Sequence, residues 1–356
     1  MRRIRRIGRG IAVGLAAAAL AVTAPGAATA SPAPTIERAR FLMGTRLLIA
    51  ARGPAAETAI ERAFAEVDRL ERVLSNWRDD SEVALLNRTA ADRPVVCSED
   101  LYAAVAAALA WAQRTDGAFD PTVEPLVRRL GLRGDAGRLP GAPPEAPPGP
   151  GPAPIGWRLV AVRPEDRSVR YLARGVGLDF GGIGKGIALD AAAAVLKRAG
   201  VAAAQLDFGG QVLVFGHGPD EGGWSLGLSD PDERDRAVGA FVLRAGSLAV
   251  SGNSERAAGV PHLLDPCTGA PAPFDGSVTV VAPDATSADA LSTALFVLGP
   301  ERGLAYAAVR NLDVLYLRRG GDGALVRRGR GAFAASVPGA PSPTTRAPGE
   351  PGAPHS

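Results

Sequence analysis

The sequence predicts an α+β fold, and three observations lead to that class. Four segments have the apolar spacing or the end signals of helices. Six shorter apolar runs have the length of strands. The two kinds of segment follow one another without a regular alternation, which favours an α+β fold over a doubly wound parallel sheet.

The four helices are predicted over residues 54–74, 98–114, 186–199 and 287–298. The first has apolar residues three and four positions apart with charges between them. The second opens on Ser98 and two acidic residues, which favour the positive end of a helix dipole. The last two stop at Gly200 and at Gly299-Pro300, which are typical helix ends.

The six strands are predicted within residues 41–50, 157–162, 176–180, 212–215, 241–243 and 278–281. Each is a short run rich in leucine, valine, isoleucine or aromatic residues. Short apolar runs of this kind are typical of half-buried or buried strands. They provide enough strands for at least one sheet.

The first 30 residues have the organisation of a secretory signal peptide. Clustered arginines precede the uncharged apolar run Ile11–Ala24 and the small-residue cleavage site Ala28–Ala30. The run is shorter than the roughly 20 residues that a membrane-spanning helix needs. We therefore expect cleavage after Ala30 and an exported, periplasmic or extracytoplasmic protein without a stable membrane anchor. Arg5-Arg6 leaves open whether export uses the general or the twin-arginine route.

Charge and cysteine content exclude several classes of protein. The signal contains five arginines and no acidic residue, so its removal changes the formal charge from +3 to −2. Net positive charge was the main argument for a nucleic-acid partner, and the mature protein does not have it. Cys97 and Cys267 are far apart and form no CxxC pattern, so neither a metal cluster nor a redox pair is indicated. Whether the two form a disulfide stays open.

Two stretches rich in proline, glycine and alanine are expected to lack regular structure: the loop 134–154 and the tail 337–356. The remaining domain, residues 31–336, is large enough to bury a substantial core. It is expected to form either one domain or two lobes that share a cleft.

The densest candidate site is the glycine-rich segment Leu178–Gly186. Glycines allow backbone N–H groups to surround an anion, the following helix presents its positive end, and Lys185 adds a full charge. A phosphate is the expected ligand, and a tight turn without a ligand is the alternative. The segment is not a Walker P-loop, because Asp179 replaces its first glycine. It is not a dinucleotide fingerprint either, because Ile187 replaces the third glycine.

The last predicted helix carries a second candidate site. Asp289 and Thr293 lie one turn apart on one face and offer a carboxylate and a hydroxyl. Oxygen ligands of this kind suit Mg²⁺. The alternative is that Asp289 favours the helix start and Thr293 bonds back to a carbonyl.

Single residues add three further candidates. His262 is the main candidate base, because the chain has only three histidines, although a turn histidine without a catalytic role is the alternative. Phe119 and Trp77 are candidates to line a ring pocket, with burial as anchors beneath their loops as the alternative.

Taken together and in order, these segments resemble the ApbE family, the FAD:protein FMN transferases. The matching blocks span most of residues 38–318: Met43-Gly44-Thr45, Ser81-Glu82, Leu86-Asn87, 117–123, 178–186, Gly209-Gly210, Ser251-Gly252, 262–269 and 288–294. The resemblance implies a mixed α/β architecture with the flavin site in a cleft between two lobes. It implies a reaction that transfers FMN from FAD to a threonine of a target flavoprotein and releases AMP.

The resemblance also implies roles for individual residues. Mg²⁺ would be held by the backbone of Gly182 with Asp289 and Thr293, and His262 would take the proton of the attacking hydroxyl. The residues expected to contact FAD are Met43, Trp77, Ala118, Phe119, Asp120, Asp179, Lys185 and Leu263. Phosphoryl transfer depends mainly on positioning and charge neutralisation, which such a site provides.

Two departures from the family and two alternative functions remain. The proline-rich loop 134–154 stands where the family often has a partly helical segment. Cys267 stands where the family has an arginine in its Asp-Pro-Arg-Thr-Gly turn, so any ligand contact of that arginine is in doubt. An FAD pyrophosphatase would release free FMN and AMP from the same site. A flavin-binding protein would hold FAD without chemistry.

Overall fold

The computed structural model describes residues 34–132, 153–220, 222–233, 235–252 and 262–337. Within these residues the strands are β1 (Thr35–Leu42), β2 (Thr45–Arg52), β3 (Val95–Val96), β4 (Val160–Arg163), β5 (Ser168–Tyr171), β6 (Ala203–Phe208), β7 (Gln211–Phe215), β8 (Trp224–Ser229), β9 (Ala237–Leu243), β10 (Gly246–Gly252), β11 (Ser277–Ala282), β12 (Asp313–Arg319) and β13 (Leu325–Arg330). The helices are α1 (Ala56–Leu74), α2 (Glu82–Thr89), α3 (Glu99–Arg114), α4 (Glu124–Arg129), α5 (Gly184–Arg198), α6 (Ala285–Arg310) and α7 (Gly331–Ser336).

The strands form one large sheet and two small ones. The large sheet has eight strands in the order β1-β2-β6-β7-β10-β11-β12-β13, and each neighbouring pair is antiparallel. The small sheets have the orders β3-β5-β4 and β8-β9. Antiparallel sheets combined with helices confirm the predicted α+β class.

The first predicted strand, residues 41–50, instead contains a hairpin turn near its start, which joins β1 to β2. Met43 and Gly44 have φ values of 45° and 74°, and Leu42 pairs with Thr45 across the turn. Two successive left-handed residues define the tight turn that suits the twist of paired strands. The single-strand prediction was therefore wrong at this point, because the sequence places a methionine where asparagine or glycine is usual.

The predicted helices are present with small shifts at their ends. Ser98 caps α3 by accepting a hydrogen bond from Leu101 N, and α5 begins at Gly184 rather than Gly186. The expected end at Gly299-Pro300 is a break inside α6: Gly299 has a φ of 69°, and helix resumes after it. Proline is favourable in the first turn of the resumed segment, so it restarts a helix here as well as ending one.

The predicted strand at residues 176–180 is absent: the segment pairs with no strand among the described residues. The backbone of Leu178 is bonded to a side chain instead, since Leu178 N donates to Asn87 Oδ1. The prediction at residues 157–162 was right in part, because a short 3₁₀ turn over Trp157–Leu159 precedes β4. The backbone N–H and C=O groups of a buried apolar run can be paired with side chains as well as with a neighbouring strand.

Two apolar core clusters meet at α5 and α6. One packs α1 and the outer face of α5 against the sheet and includes Ile60, Leu189 and Phe208; the other surrounds α3 and includes Phe119 and Leu178. All of the described residues, from Pro34 to Val337, belong to one compact unit. Both core clusters lie within that unit.

Several sequence-based expectations lie outside the described residues: the signal peptide 1–30, most of the loop 134–154, and the tail apart from its first residue. That first residue, Val337, is 1% exposed and packs in a core cluster with Phe333. Among the described residues, no helix is both long and apolar enough to cross a membrane.

Candidate functional site

The glycine-rich segment forms a tight turn that leads directly into α5. Asp179 Oδ1 accepts a hydrogen bond of 2.7 Å from Gly181 N, and the Phe180 carbonyl accepts bonds from Ile183 N and Gly184 N. The turn therefore leads directly into the first turn of α5, where Gly184 N is already bonded to the Phe180 carbonyl. The start of a helix adds partial positive charge to its surroundings, which favours an anion nearby.

Asp289 joins α6 to the start of α5. Its side chain is 5% exposed, its Oδ2 accepts a 2.9 Å hydrogen bond from Gly186 N, and its Oδ1 lies 3.5 Å from Lys185 Nζ. Asp284, not Asp289, caps the start of α6. The interpretation of Asp289 as a helix-start residue was therefore wrong, because its carboxylate binds another helix.

Thr293 and Gly182 bring two further oxygen atoms to the same place. Thr293 Oγ1 lies 3.5 Å from the Gly182 carbonyl oxygen. A Cβ at Gly182 would lie 2.9 Å from Thr293 Oγ1 and 3.2 Å from Phe119 Cε2. Only glycine therefore allows the turn to approach α6 this closely.

The three residues predicted to hold a metal are thus neighbours in the structure. They supply a carboxylate, a backbone carbonyl and a hydroxyl, a set of hard oxygen donors that fits Mg²⁺. The described residues contain no group of three or more His, Cys, Asp or Glu side chains able to hold a metal. The donor set accordingly suits an ion that completes its coordination with phosphate and water.

The start of α6 is fixed by residues that the sequence-based search missed. Asp190 on α5 accepts hydrogen bonds from Ala285 N, Thr286 N and Thr286 Oγ1, at 2.9, 2.9 and 2.6 Å. Gln211 Nε2 donates to the Ala285 carbonyl at 2.7 Å. These contacts set the position of Asp289 one turn further along. The only local signal was the Asp284 cap, because Asp190 and Gln211 are distant in sequence.

Phe119 and Asp120 occupy the floor of the site. Phe119 is 3% exposed and lies beneath Gly182, so the turn rests on its ring. Asp120 Oδ1 accepts bonds from Thr122 N and Thr122 Oγ1, and its Oδ2 accepts a 2.9 Å bond from Trp157 N. Asp120 therefore shapes the loop around the neighbouring, buried Ala118, and its contact with FAD stays a prediction.

The Met43 turn is hydrogen-bonded to the end of α1, and the Trp77 loop is connected to the glycine-rich turn. Met43 N donates to Glu71 Oε2 at 2.9 Å, which connects the hairpin turn to the end of α1. Trp77 follows α1 and is 39% exposed, so it is not the buried anchor considered as an alternative. Asn76 Nδ2 lies 3.3 Å from Asp179 Oδ2, which links this loop to the glycine-rich turn.

His262 begins a segment that packs along α6. It is half-buried, and the next residue, Leu263, packs with a cluster that includes Leu291 of α6. Asp265 Oδ1 accepts a bond from Cys267 N in the turn that follows. The role of His262 as a base stays a prediction.

The two cysteines do not form a disulfide: Cys97 is buried, Cys267 is exposed, and both are free. Burial, helped by the negative charge of Glu82, raises the pKa of Cys97 to about 11, so this thiol is protonated at neutral pH. Cys267 stands as an exposed, free cysteine in a turn where the resemblance expected an arginine.

Comparison with known proteins places this geometry in a family. A protein-family sequence model, described as the ApbE family, matches residues 43–316 of this chain. A Treponema pallidum protein named FAD:protein FMN transferase is 33% identical over 294 residues, covering 75% of this chain and 80% of its own. A Salmonella typhimurium protein of the same name is 30% identical over 327 residues, covering 88% and 93%.

Solved structures show the same fold. The ApbE protein of Thermotoga maritima superposes with a TM-score of 0.70 at 30% identity, covering 83% of this chain and 97% of its own. The flavin transferase ApbE of Vibrio cholerae superposes with a TM-score of 0.72 at 25% identity, covering 86% and 100%. The family model covers residues 43–316 and the fold agrees with these solved structures, so this chain belongs to the ApbE family.

Proposed function

We propose that this protein transfers FMN from FAD to a threonine hydroxyl of a target flavoprotein, in a Mg²⁺-dependent reaction that releases AMP. The observation that carries the proposal is the set of three oxygen donors, from Gly182, Asp289 and Thr293, beside Lys185 at the start of α5. Relatives with the name FAD:protein FMN transferase support the choice of substrate.

The reaction exchanges the phosphoanhydride linkage of FAD for a phosphoester linkage to threonine. The threonine Oγ attacks the phosphorus of the FMN half of FAD, a new O–P bond forms, and the pyrophosphate O–P bond breaks. AMP leaves with the electron pair of that bond. The hydroxyl proton passes to a base, for which His262 is the candidate.

The chain's own residues would neutralise and orient the pyrophosphate. Lys185, whose side chain is 28% exposed, would meet its negative oxygens, and the start of α5 would add partial positive charge. Gly182, Asp289 and Thr293 would hold Mg²⁺. When bound, Mg²⁺ supplies charge neutralisation on the transferring phosphoryl group.

The remaining predicted contacts would bind the rest of FAD. Asp179 joins the turn to the Asn76 loop, and Phe119 forms the floor beneath Gly182. Met43, Trp77, Ala118, Asp120 and Leu263 complete the proposed flavin site. An aromatic and apolar floor with few polar groups is typical of a cofactor site.

The test is to incubate the purified protein with FAD, MgCl₂ and a threonine-containing acceptor flavoprotein domain. We expect equal amounts of AMP and of an acceptor heavier by one FMN. Free FMN with AMP would support hydrolysis instead, and unchanged FAD would leave only flavin binding. Omission of Mg²⁺ with EDTA present should abolish AMP release.

We also propose that the protein works outside the cytoplasm, on the basis of the arginine-rich, apolar and small-residue order of residues 1–30. Processing is expected after Ala30. Sequencing of the N-terminus from an exporting host tests this, and an intact Met1 in the cytoplasmic fraction would contradict it.

A further inference from the structure

The backbone of Leu178 is held by the side chain of one asparagine. Asn87 Oδ1 accepts a 2.8 Å hydrogen bond from Leu178 N, and Asn87 Nδ2 donates a 2.9 Å bond to the Leu178 carbonyl. A primary amide thereby replaces the neighbouring strand that residues 176–180 do not have. Leu178 is fully buried, so its backbone groups need these partners.

A buried tyrosine fixes the orientation of that amide. Tyr171 is 1% exposed, and its hydroxyl donates a 2.6 Å hydrogen bond to Asn87 Oδ1. Burial, with the negative charge of Glu124, raises the pKa of Tyr171 well above its usual value, so the hydroxyl remains a donor. Two donors on Oδ1 leave Nδ2 to face the Leu178 carbonyl.

A second asparagine ties the same point to the candidate site. Asn76 Nδ2 donates to the Leu178 carbonyl at 2.7 Å and lies 3.3 Å from Asp179 Oδ2. Asn76 Oδ1 is buried and has no hydrogen-bond partner in the described parts of the chain. A buried unpaired acceptor is costly, and such groups are concentrated where function requires them.

We propose that Asn87, Asn76 and Tyr171 are positioning residues, which fix Leu178 and thereby place Asp179 and the Gly182 carbonyl for FAD and Mg²⁺. The inference rests on the proposed function and names three residues that it does not include. None of the three supplies a predicted ligand atom. They act through the backbone of one residue.

The short chain distance between Leu178 and the site makes the coupling direct. Asp179 is the next residue, and its N–H is held by the Pro121 carbonyl at 2.7 Å, beside Asp120. Gly182 follows three residues later and packs against Thr293 without space for a Cβ. A displacement of Leu178 is therefore passed to the site, where misplacement of about 1 Å costs about 100-fold in rate.

The test uses two variants that remove different hydrogen bonds of the group formed by Tyr171, Asn87 and Leu178. Asn87→Ala removes both bonds to Leu178, and Tyr171→Phe removes one hydroxyl without changing the shape of the ring. Tyr316→Phe is the matched control, because Tyr316 is 2% exposed and donates its hydroxyl to the Leu295 carbonyl at 2.7 Å. The readouts are the Kd for FAD with and without MgCl₂ by calorimetry, the kinetics of AMP release, and Tm.

We expect Asn87→Ala to weaken Mg²⁺-dependent FAD binding by about tenfold or more, as removal of hydrogen bonds behind metal ligands does. Tyr171→Phe should weaken it by a smaller factor, while Tyr316→Phe lowers Tm to a similar degree and leaves the Kd unchanged. Because Tyr171 acts through Asn87, adding Tyr171→Phe to Asn87→Ala should cause no further loss of affinity.

Equal Kd values for Tyr171→Phe, Tyr316→Phe and the parent would overturn the proposal, whether or not Asn87→Ala folds. So would a double variant whose losses of affinity simply add. Binding of FAD is measured without an acceptor, so these outcomes are distinct from a failure of the proposed transfer. That failure would appear as a parent protein that binds FAD but leaves the acceptor unmodified.

Discussion

Replacing Gly182 with alanine tests the contact between the glycine-rich turn and α6. The new Cβ would lie 2.9 Å from Thr293 Oγ1, 3.1 Å from Thr293 Cγ2 and 3.2 Å from Phe119 Cε2. Favourable carbon contacts begin at about 3.5 Å, so the turn and the helix must separate by several tenths of an ångström. The Gly182 carbonyl and the Thr293 hydroxyl, now 3.5 Å apart, would then be misplaced for a shared cation.

The size of the effect follows from the cost of overpacking. Added atoms in a well-packed site cost about 1–3 kcal/mol. A change of about 1.4 kcal/mol is tenfold in a binding constant. We therefore expect the Mg²⁺ concentration that gives half-maximal AMP release to rise by about tenfold or more in Gly182→Ala, with smaller losses in Tm.

The assay is a Mg²⁺ titration of AMP release at saturating FAD, with the acceptor present. Gly227→Ala is the control, because a Cβ on this residue of β8 would meet no atom within 4 Å. Its Mg²⁺ requirement should equal that of the parent. The same requirement in folded Gly182→Ala would refute the argument that this contact places the metal ligands.

Three further predictions concern single side chains. Asp289→Asn keeps an acceptor for Gly186 N but removes the charge beside Lys185, so AMP release should fall more than about 100-fold; activity retained at saturating Mg²⁺ would remove Asp289 from the metal site. Met43→Asn should relieve about 1 kcal/mol of left-handed strain, which offsets the loss of side-chain packing in the free energy of unfolding. The same variant should bind FAD more weakly by calorimetry, and unchanged FAD affinity would contradict a flavin contact of Met43. Asp190→Ala removes the acceptor of three hydrogen bonds at the start of α6 and should lower the free energy of unfolding by about 2–4 kcal/mol. Denaturant unfolding measures this loss, and a value below about 0.5 kcal/mol would show that the helix start does not depend on Asp190.

The parts of the site that the sequence predicts well are those that local periodicity determines. Asp289 and Thr293 share a face because they are four residues apart on a helix, and α6 confirms that geometry. Glycines before Lys185 predicted a tight turn into a helix, and α5 begins within that motif. Local spacing therefore predicts both halves of the oxygen cluster, but not the contact between them.

The parts that sequence patterns miss depend on partners distant along the chain. Leu178 lies in an apolar run that predicts a strand, yet its hydrogen bonds go to Asn87, which is 91 residues away. Asp190 binds the start of α6 from 95 residues away. Neither residue stands out locally, because an asparagine or aspartate on a helix is commonly a solvated residue.

Met43 illustrates a different reason for failure. The apolar run around it predicts a continuous strand, and methionine carries no turn signal, but its φ of 45° forms the hairpin turn. A non-glycine residue held in this conformation costs about 1–2 kcal/mol. Local rules fail where the fold keeps an unfavourable residue, and such positions are concentrated at functional sites.

Mass measurement of a threonine acceptor distinguishes transfer of FMN to protein from hydrolysis of FAD. The purified protein is incubated with FAD and MgCl₂ and either an acceptor domain or the same domain with its target threonine replaced by alanine. The proposed function predicts a gain of one FMN on the threonine acceptor alone, with an equal amount of AMP. AMP and free FMN in the same amounts with both acceptors, and no gain of mass on either, would contradict it.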